Sequence, residues 1–84
     1  MKPIKITVLS EGIPVEGAEV IAGEYAQKGL NTDANGEING SVEDNFVIAT
    51  PVIVRVDHIV RAVSGPMVLE ADGDYVFDIG FSTP

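Results

Sequence analysis

Short runs in which apolar and polar residues alternate with a period of two, each cut off by Gly, Pro, Asn or Asp, restrict this chain to β-structure. Ile4, Ile6 and Val8 alternate with Lys5, Thr7 and Leu9; Val52, Val54 and Val56 alternate with Ile53 and Arg55; Tyr75, Phe77, Ile79 and Phe81 alternate with Val76, Asp78 and Gly80. Successive side chains on a strand point to opposite faces, so each run turns one apolar row inward. No apolar repeat of helical period extends beyond about two turns. Hydrophobic residues make up 45% of the chain, Val and Ile recurring while Leu is sparse, and β-branched side chains favour a pleated surface over a helix.

Taken in order, the pattern predicts a first strand over 4–9, a turn at Ser10-Glu11-Gly12, and a second apolar row of Val15, Ala18, Val20 and Ala22 with Glu16 and Glu19 turned to water. Pro14 lacks a backbone donor and suits an edge or a bulge. Residues 25–32 are weakly patterned and read as a loop that becomes a strand only near Leu30. Asn35-Gly36 is a strong hairpin signal, because a turn with positive φ at successive central positions selects Asn then Gly; it predicts a return strand over 37–42, with Ile38 and Val42 inward and Gly40 as a bulge or a point of close approach. The run Val52 to Val56 reads as the central, mid-sheet strand. Asp57-His58 reads as a tight turn or bulge, followed by residues 59–63 with Arg61 opposite Val60 and Ala62. Ser64-Gly65-Pro66 is a turn, 67–70 a short strand, and Asp72-Gly73-Asp74 a second hairpin turn into the aromatic last strand, whose rings anchor a core. Seven or eight strands at regular spacing predict one all-β domain over residues 1–84, a sandwich of about seven antiparallel strands.

The stretch Pro14-Val15-Glu16-Gly17-Ala18-Glu19-Val20, followed by Thr32-Asp33-Ala34-Asn35-Gly36-Glu37, resembles the signature of carboxypeptidase regulatory-like domains. These form a transthyretin-like, immunoglobulin-like group of β-sandwiches. The resemblance covers about a third of the chain. It implies a non-catalytic module of the kind usually embedded in larger secreted or surface proteins, where such domains bind peptides, glycans or neighbouring domains. Hydrolases of a purine-degradation intermediate share the transthyretin-like fold, but their several-histidine site and C-terminal tetrapeptide have no counterpart here.

Length and charge narrow the function further. A chain of 84 residues buries only about 60 to 65% of its unfolded surface. With no cysteine, neither disulfides nor thiolate metal sites add stability. Five basic against 13 acidic residues give a net charge of −8, which repels both a nucleic-acid backbone and an anionic membrane surface, so neither is expected as a partner. Residues 1–10 lack the continuous apolar core of a signal peptide, since Lys5 and Thr7 interrupt it, and the expectation is a chain that stays where it is made.

The inventory for catalysis is one histidine and the serines Ser10, Ser41, Ser64 and Ser82, none in a nucleophile elbow. Asp57 can orient His58 only if the two sit in a turn, because neighbours on a strand point to opposite faces. No catalytic residue and no cofactor are expected. Asn31, Asp33 and Asn35, with Gly36 after them, match the opening of a calcium loop, yet Val42 stands where the bidentate Glu belongs, so a turn is the stronger reading and calcium the weaker. Tyr25 beside Lys28, and Phe46, are the candidate partner-binding residues, each weighed against a place at the rim of the core. Small acidic immunoglobulin-like proteins without cysteine or export signal resemble proteins that decorate bacteriophage capsids or fibres. The expectation is therefore a structural protein, made in the host cytoplasm and carried on the virion, that binds a protein partner and has the capacity to form a homo-oligomer. The alternative is an adhesion, carbohydrate- or peptide-binding module of a larger extracellular bacterial surface protein.

Overall fold

The computed structural model describes residues 1–23 and 25–80, with only the backbone given for 26–28. The described residues fold as an all-β sandwich of ten strands: β1 (Lys2–Ser10), β2 (Ile13–Pro14), β3 (Glu19–Ala22), β4 (Ala26–Asn31), β5 (Glu37–Val42), β6 (Val47–Thr50), β7 (Ile53–Val56), β8 (Ile59–Val63), β9 (Met67–Glu70) and β10 (Asp74–Asp78). The count exceeds seven because β2 is a two-residue edge piece at Pro14 and β4 forms where a loop was expected.

One sheet is built around β1. It pairs antiparallel with β5 through residues 2–7 and with β2 at Leu9 and Ser10, and parallel with β10 through residues 5–9. The second sheet has the order β4-β3-β7-β8, which puts β7 mid-sheet as its alternation predicts, and β6 with β9 makes a two-stranded sheet. Inward rows from all three meet in a single core: Ile4, Ile6 and Val8 of β1, Val20 and Ala22 of β3, Ile38 and Val42 of β5, Val54 of β7 and Leu69 of β9, joined by Ala18, Val52 and Ile79. Tyr75 and Phe77 pack against it from β10. Phe81 lies outside the described residues.

Two expected hairpins are corrected. The segment 33–36 does turn: Gly36 N–H donates to the Asp33 carbonyl at 2.9 Å, and Asp33 N–H donates to the Glu37 carbonyl at 2.9 Å. The strands it joins, however, belong to different sheets, because β4 pairs with β3 and β5 pairs with β1. Only Gly36 has positive φ there, at 72°. Likewise Asp72-Gly73-Asp74 carries the chain from β9, paired with β6, to β10, paired with β1. Both are crossovers between layers, driven by the need to bury an apolar face on each side of the core rather than by local pairing.

The β4 strand escaped sequence reading because its ladder is made by backbone rather than by an apolar row. Its register against β3 shifts between Val20 and Ala22, marking a bulge. Just beyond it Thr32 is buried and fully used: its Oγ1 accepts from Ala18 N–H at 2.9 Å and donates to the Val15 carbonyl at 2.5 Å, while its backbone exchanges both hydrogen bonds with the 17–18 segment. Thr32→Val keeps the shape and strands that donor and acceptor, so urea unfolding should show a loss of about 1–3 kcal/mol. Gly36→Ala should cost at least as much, since a Cβ there stands 2.7 Å from the Val8 carbonyl oxygen in addition to its positive φ. Gly17→Ala, with positive φ but nothing within 4 Å, should lose only the backbone term of about 1 kcal/mol.

Candidate functional site

The two outer faces of the sandwich differ. On the sheet around β1, inward Ile4, Ile6 and Val8 leave Lys5, Thr7 and Leu9 outward. Across from them stand Asn39 and Glu37 on β5, and Asp74, Val76 and Asp78 on β10. Lys5 Nζ lies 3.0 Å from a Glu37 carboxylate oxygen, and hydrogen bonding to Glu37 raises the lysine's pKa above its ordinary value. That face is polar and acidic.

The outer face of the β4-β3-β7-β8 sheet carries two rows across the strands. Ile21, Ile53 and Val63 are aligned from β3 through β7 to β8, an apolar ladder with Val63 exposed. Two residues along β3 and β7, and three along β8, where a register shift leaves Arg61 as the extra residue of a bulge, Glu19, Arg55 and Val60 are aligned in the same way. Arg55 donates from Nε to Glu19 Oε1 at 2.6 Å and also from its terminal nitrogen to the same oxygen, so the charged pair closes on itself. Of the 13 acidic and five basic residues of the chain, one acidic and three basic (Glu19 against Lys28, Arg55 and Arg61) lie on these four strands; they carry a formal +2 and the rest of the chain −10. A face free of net negative charge on a chain of −8 is where another acidic surface meets least repulsion.

The β7–β8 connection is a two-residue hairpin at Asp57 and His58, both with positive φ, 53° and 64°. This is the turn in which each central residue is left-handed, the geometry expected at Asn35-Gly36. With Gly17, Glu19, Asn31 and Arg55 the pair lines a shallow polar cleft of about 210 Å³. Both side chains are exposed there. Ser10, Val15, Val56, Arg61 and Ile79 line a second cleft, of about 270 Å³, between the two large sheets.

The sequence-derived candidates fall elsewhere. Tyr25 and Phe46 are half-buried and tilted against each other, ring centroids 5.9 Å apart, and both pack on the core. Burial raises the Tyr25 phenol's pKa, and its Oη closes over Gly40, where an added Cβ would stand 2.5 Å away. The pair closes one rim of the sandwich, with Gly40 as the point of close approach. The side chain of Lys28 lies outside the described residues. Asn31 sits on β4 opposite Glu19, whereas Asp33 Oδ1 accepts N–H groups from Asn35 at 2.9 Å and Glu37 at 3.0 Å, so these residues serve an Asx turn. Among the described residues no three His, Asp or Glu side chains converge to hold a metal ion. The apolar ladder escaped sequence reading because Ile21 and Ile53 occupy the alternate positions of strands whose Val residues were already assigned to the core; cross-strand register aligns them, and a single strand pattern carries no register.

Asp78 ties the end of β10 to the first turn. Its carboxylate accepts N–H groups from Gly80 at 2.8 Å, Glu11 at 3.0 Å and Gly12 at 3.2 Å, and these hold its pKa below the ordinary carboxylate value. A depressed folded pKa stabilises fully above the unfolded value near 4 and loses that contribution as pH falls through the folded value. In Asp78→Ala the acid limb of the stability–pH curve should therefore be flatter than in the wild type, measured by urea midpoints between about pH 5 and 2. At the hairpin, Asp57→Asn with His58→Gly relieves two left-handed side-chain conformations and should raise stability by about 1 kcal/mol, a rise of roughly 4–8 °C in Tm by calorimetry. Comparison with family models and with curated proteins gives no match to this chain.

Proposed function

We propose that the protein is a non-catalytic structural module that docks on a repetitive protein surface, with decoration of a bacteriophage capsid or fibre as its leading setting. The observation that carries this reading is the outer face of the β4-β3-β7-β8 sheet, where the Ile21–Ile53–Val63 ladder lies beside a self-neutralised Glu19–Arg55 pair while the acidic residues crowd the rest of the chain. Interfaces need a dehydrated apolar centre from which unpaired charge is absent, and this face supplies one. Weak contacts of that size become firm when repeated over a lattice, which suits a small domain. The acidic remainder keeps free copies soluble and apart. The resemblance to carboxypeptidase regulatory-like domains supports a binding role without chemistry, and it also supports a second reading, a module of a larger extracellular bacterial protein.

Purified heads lacking the protein, taken from the phage whose genome encodes it, should bind the full chain saturably, at a copy number that is a simple fraction of the capsid subunits. Ile53→Asp with Val63→Asp should weaken that binding at least about tenfold while leaving the fold intact by circular dichroism. Heads that ignore the wild-type chain, or bind the double variant equally, overturn the reading. A reading frame that continues into a cell-surface protein moves the assignment to the second one.

A further inference from the structure

The register shift between β7 and β8 singles out Arg61. Val54 faces Ala62 and Arg55 faces Val60, so Arg61 is the extra residue of the bulge. In an unbroken ladder it would stand opposite Arg55 on the outer face, where like charges repel. The bulge takes it out of that row. Arg61 instead lines the cleft of about 270 Å³ between the two large sheets, together with Val56 of β7, Ser10 of β1, Val15 and Ile79. Bulges re-aim side chains in this way and are over-represented beside functional sites. The floor of the cleft is continuous with the core, since Ile79 belongs to the core and Val15 and Val56 pack against it. Among the described lining residues the polar groups are the Ser10 hydroxyl and the Arg61 guanidinium, and Arg61 carries the one charge. An apolar floor with few polar groups is the usual composition of a small-molecule site.

We infer that this cleft binds a small amphipathic monocarboxylate, its apolar body on Val15, Val56 and Ile79 and its carboxylate on Arg61. The guanidinium is a planar fork whose paired N–H groups match the two oxygens of a carboxylate, and this fixes the class of the ligand's polar end. Arg61 has an interaction of its own within the chain, and its five N–H donors leave capacity for a second partner. Ser10 adds a hydroxyl donor. Charge limits the ligand to a single negative one. The chain carries −8, Glu11 follows Ser10 directly and Asp78 precedes Ile79, so a dianion such as a phosphate monoester meets more repulsion than one arginine offsets. Volume limits its length. At the packing density of a protein interior, 270 Å³ accommodates up to roughly ten non-hydrogen atoms, which covers a six-carbon acid such as hexanoate. The site is separate from the outer row of Ile21, Ile53 and Val63, and its occupancy does not depend on the docking reading.

Titration of the full isotope-labelled chain with sodium hexanoate, followed by amide chemical shifts at constant pH and ionic strength, should give saturable changes centred on Ser10, Val15, Val56, Arg61 and Ile79, with a Kd of about 0.3–3 mM. Hexan-1-ol, which has the body without the charge, and acetate, which has the charge without the body, should each bind at least about tenfold more weakly. Arg61→Gln should lose at least about tenfold in hexanoate affinity, and Arg61→Lys, which keeps the charge and loses the fork, should fall between the two. Ile53→Asp with Val63→Asp, which alters the outer face, should bind hexanoate like wild type. No saturable change up to about 30 mM hexanoate overturns the inference. So do changes centred on the Ile21–Ile53–Val63 ladder, an alcohol bound as tightly as the acid, or Arg61→Gln that is folded by circular dichroism and binds like wild type. A chain that binds hexanoate and ignores phage heads keeps the cleft and loses the docking reading; a chain that coats heads and ignores hexanoate does the reverse.

Discussion

Everything else in this fold depends on β1 being paired along both of its edges. Along one edge it meets β5, then the Gly36 carbonyl, then Val15 and β2; along the other it meets β10 in parallel. On the first edge Val8 N–H donates to the Gly36 carbonyl at 2.7 Å and the Val8 carbonyl accepts from Val15 N–H at 3.0 Å; on the other, Lys5 N–H donates to the Gly73 carbonyl at 3.0 Å and the Leu9 carbonyl accepts from Ile79 N–H at 2.7 Å, while the Val8 side chain between them is wholly buried. A strand so placed gathers segments from the start, middle and end of the chain onto one axis. Such long-range pairing is entropically costly to assemble, and it is offset by the row of Ile4, Ile6 and Val8, which removes three β-branched side chains from water at once. The parallel partner is possible only because the chain crosses the sandwich between the two strands instead of turning back on itself.

That constraint explains which parts of the structure were legible in the sequence. Alternation depends only on the residue's own strand, so the inward rows of β1, β5 and β7 follow from the residues. Turn positions follow for the same reason, since Gly36 and the 70–73 segment turn where Gly and Asp stand. Pairing partners do not follow. The 33–36 segment makes the hydrogen bonds of a hairpin loop locally, yet β1 competes for β5 and wins it, because pairing β5 with β1 buries Ile38 against Ile6 across the strands. The true two-residue hairpin falls at Asp57-His58, where neither residue is Gly; Asp and His tolerate the left-handed region better than most side chains, and the flanking β7 and β8 enforce it.

The candidate site was less legible than the fold, for a related reason. Tyr25 and Phe46 stand out in a sequence with few aromatics, and large rings in a small domain are drawn into the core rim, where they remove the most apolar area. The residues that make the outer face distinctive, Ile21, Ile53 and Val63, are ordinary in sequence and become a surface only when β3, β7 and β8 are placed in register. Charge behaves likewise. A net −8 reads as a uniformly acidic protein, whereas strand placement leaves a single acidic residue, Glu19, on the four strands of one sheet.

A sandwich must cover both sides of each sheet or leave one to water, and what is left uncovered is decided by the same alternation that builds the core. In the sheet around β1 most outward positions are polar, Lys, Thr, Asn, Glu and Asp with Leu9 and Val76 among them, so solvent satisfies the greater part of that face. In the β4-β3-β7-β8 sheet the outward row of Ile21, Ile53 and Val63 repeats the β-branched chemistry of the inward positions, and the Glu19–Arg55 ion pair beside it is closed between its own partners. Water is a poor solvent for that surface, and each isoleucine or valine kept there gives up free energy that a threonine or lysine would not. Folding alone does not ask for it, since Val20 and Val54 already fill the inner side. The excess is recovered only when something excludes water from that face, which is the ground on which the docking proposal rests on the uncovered sheet and not on the single histidine or the acidic turns.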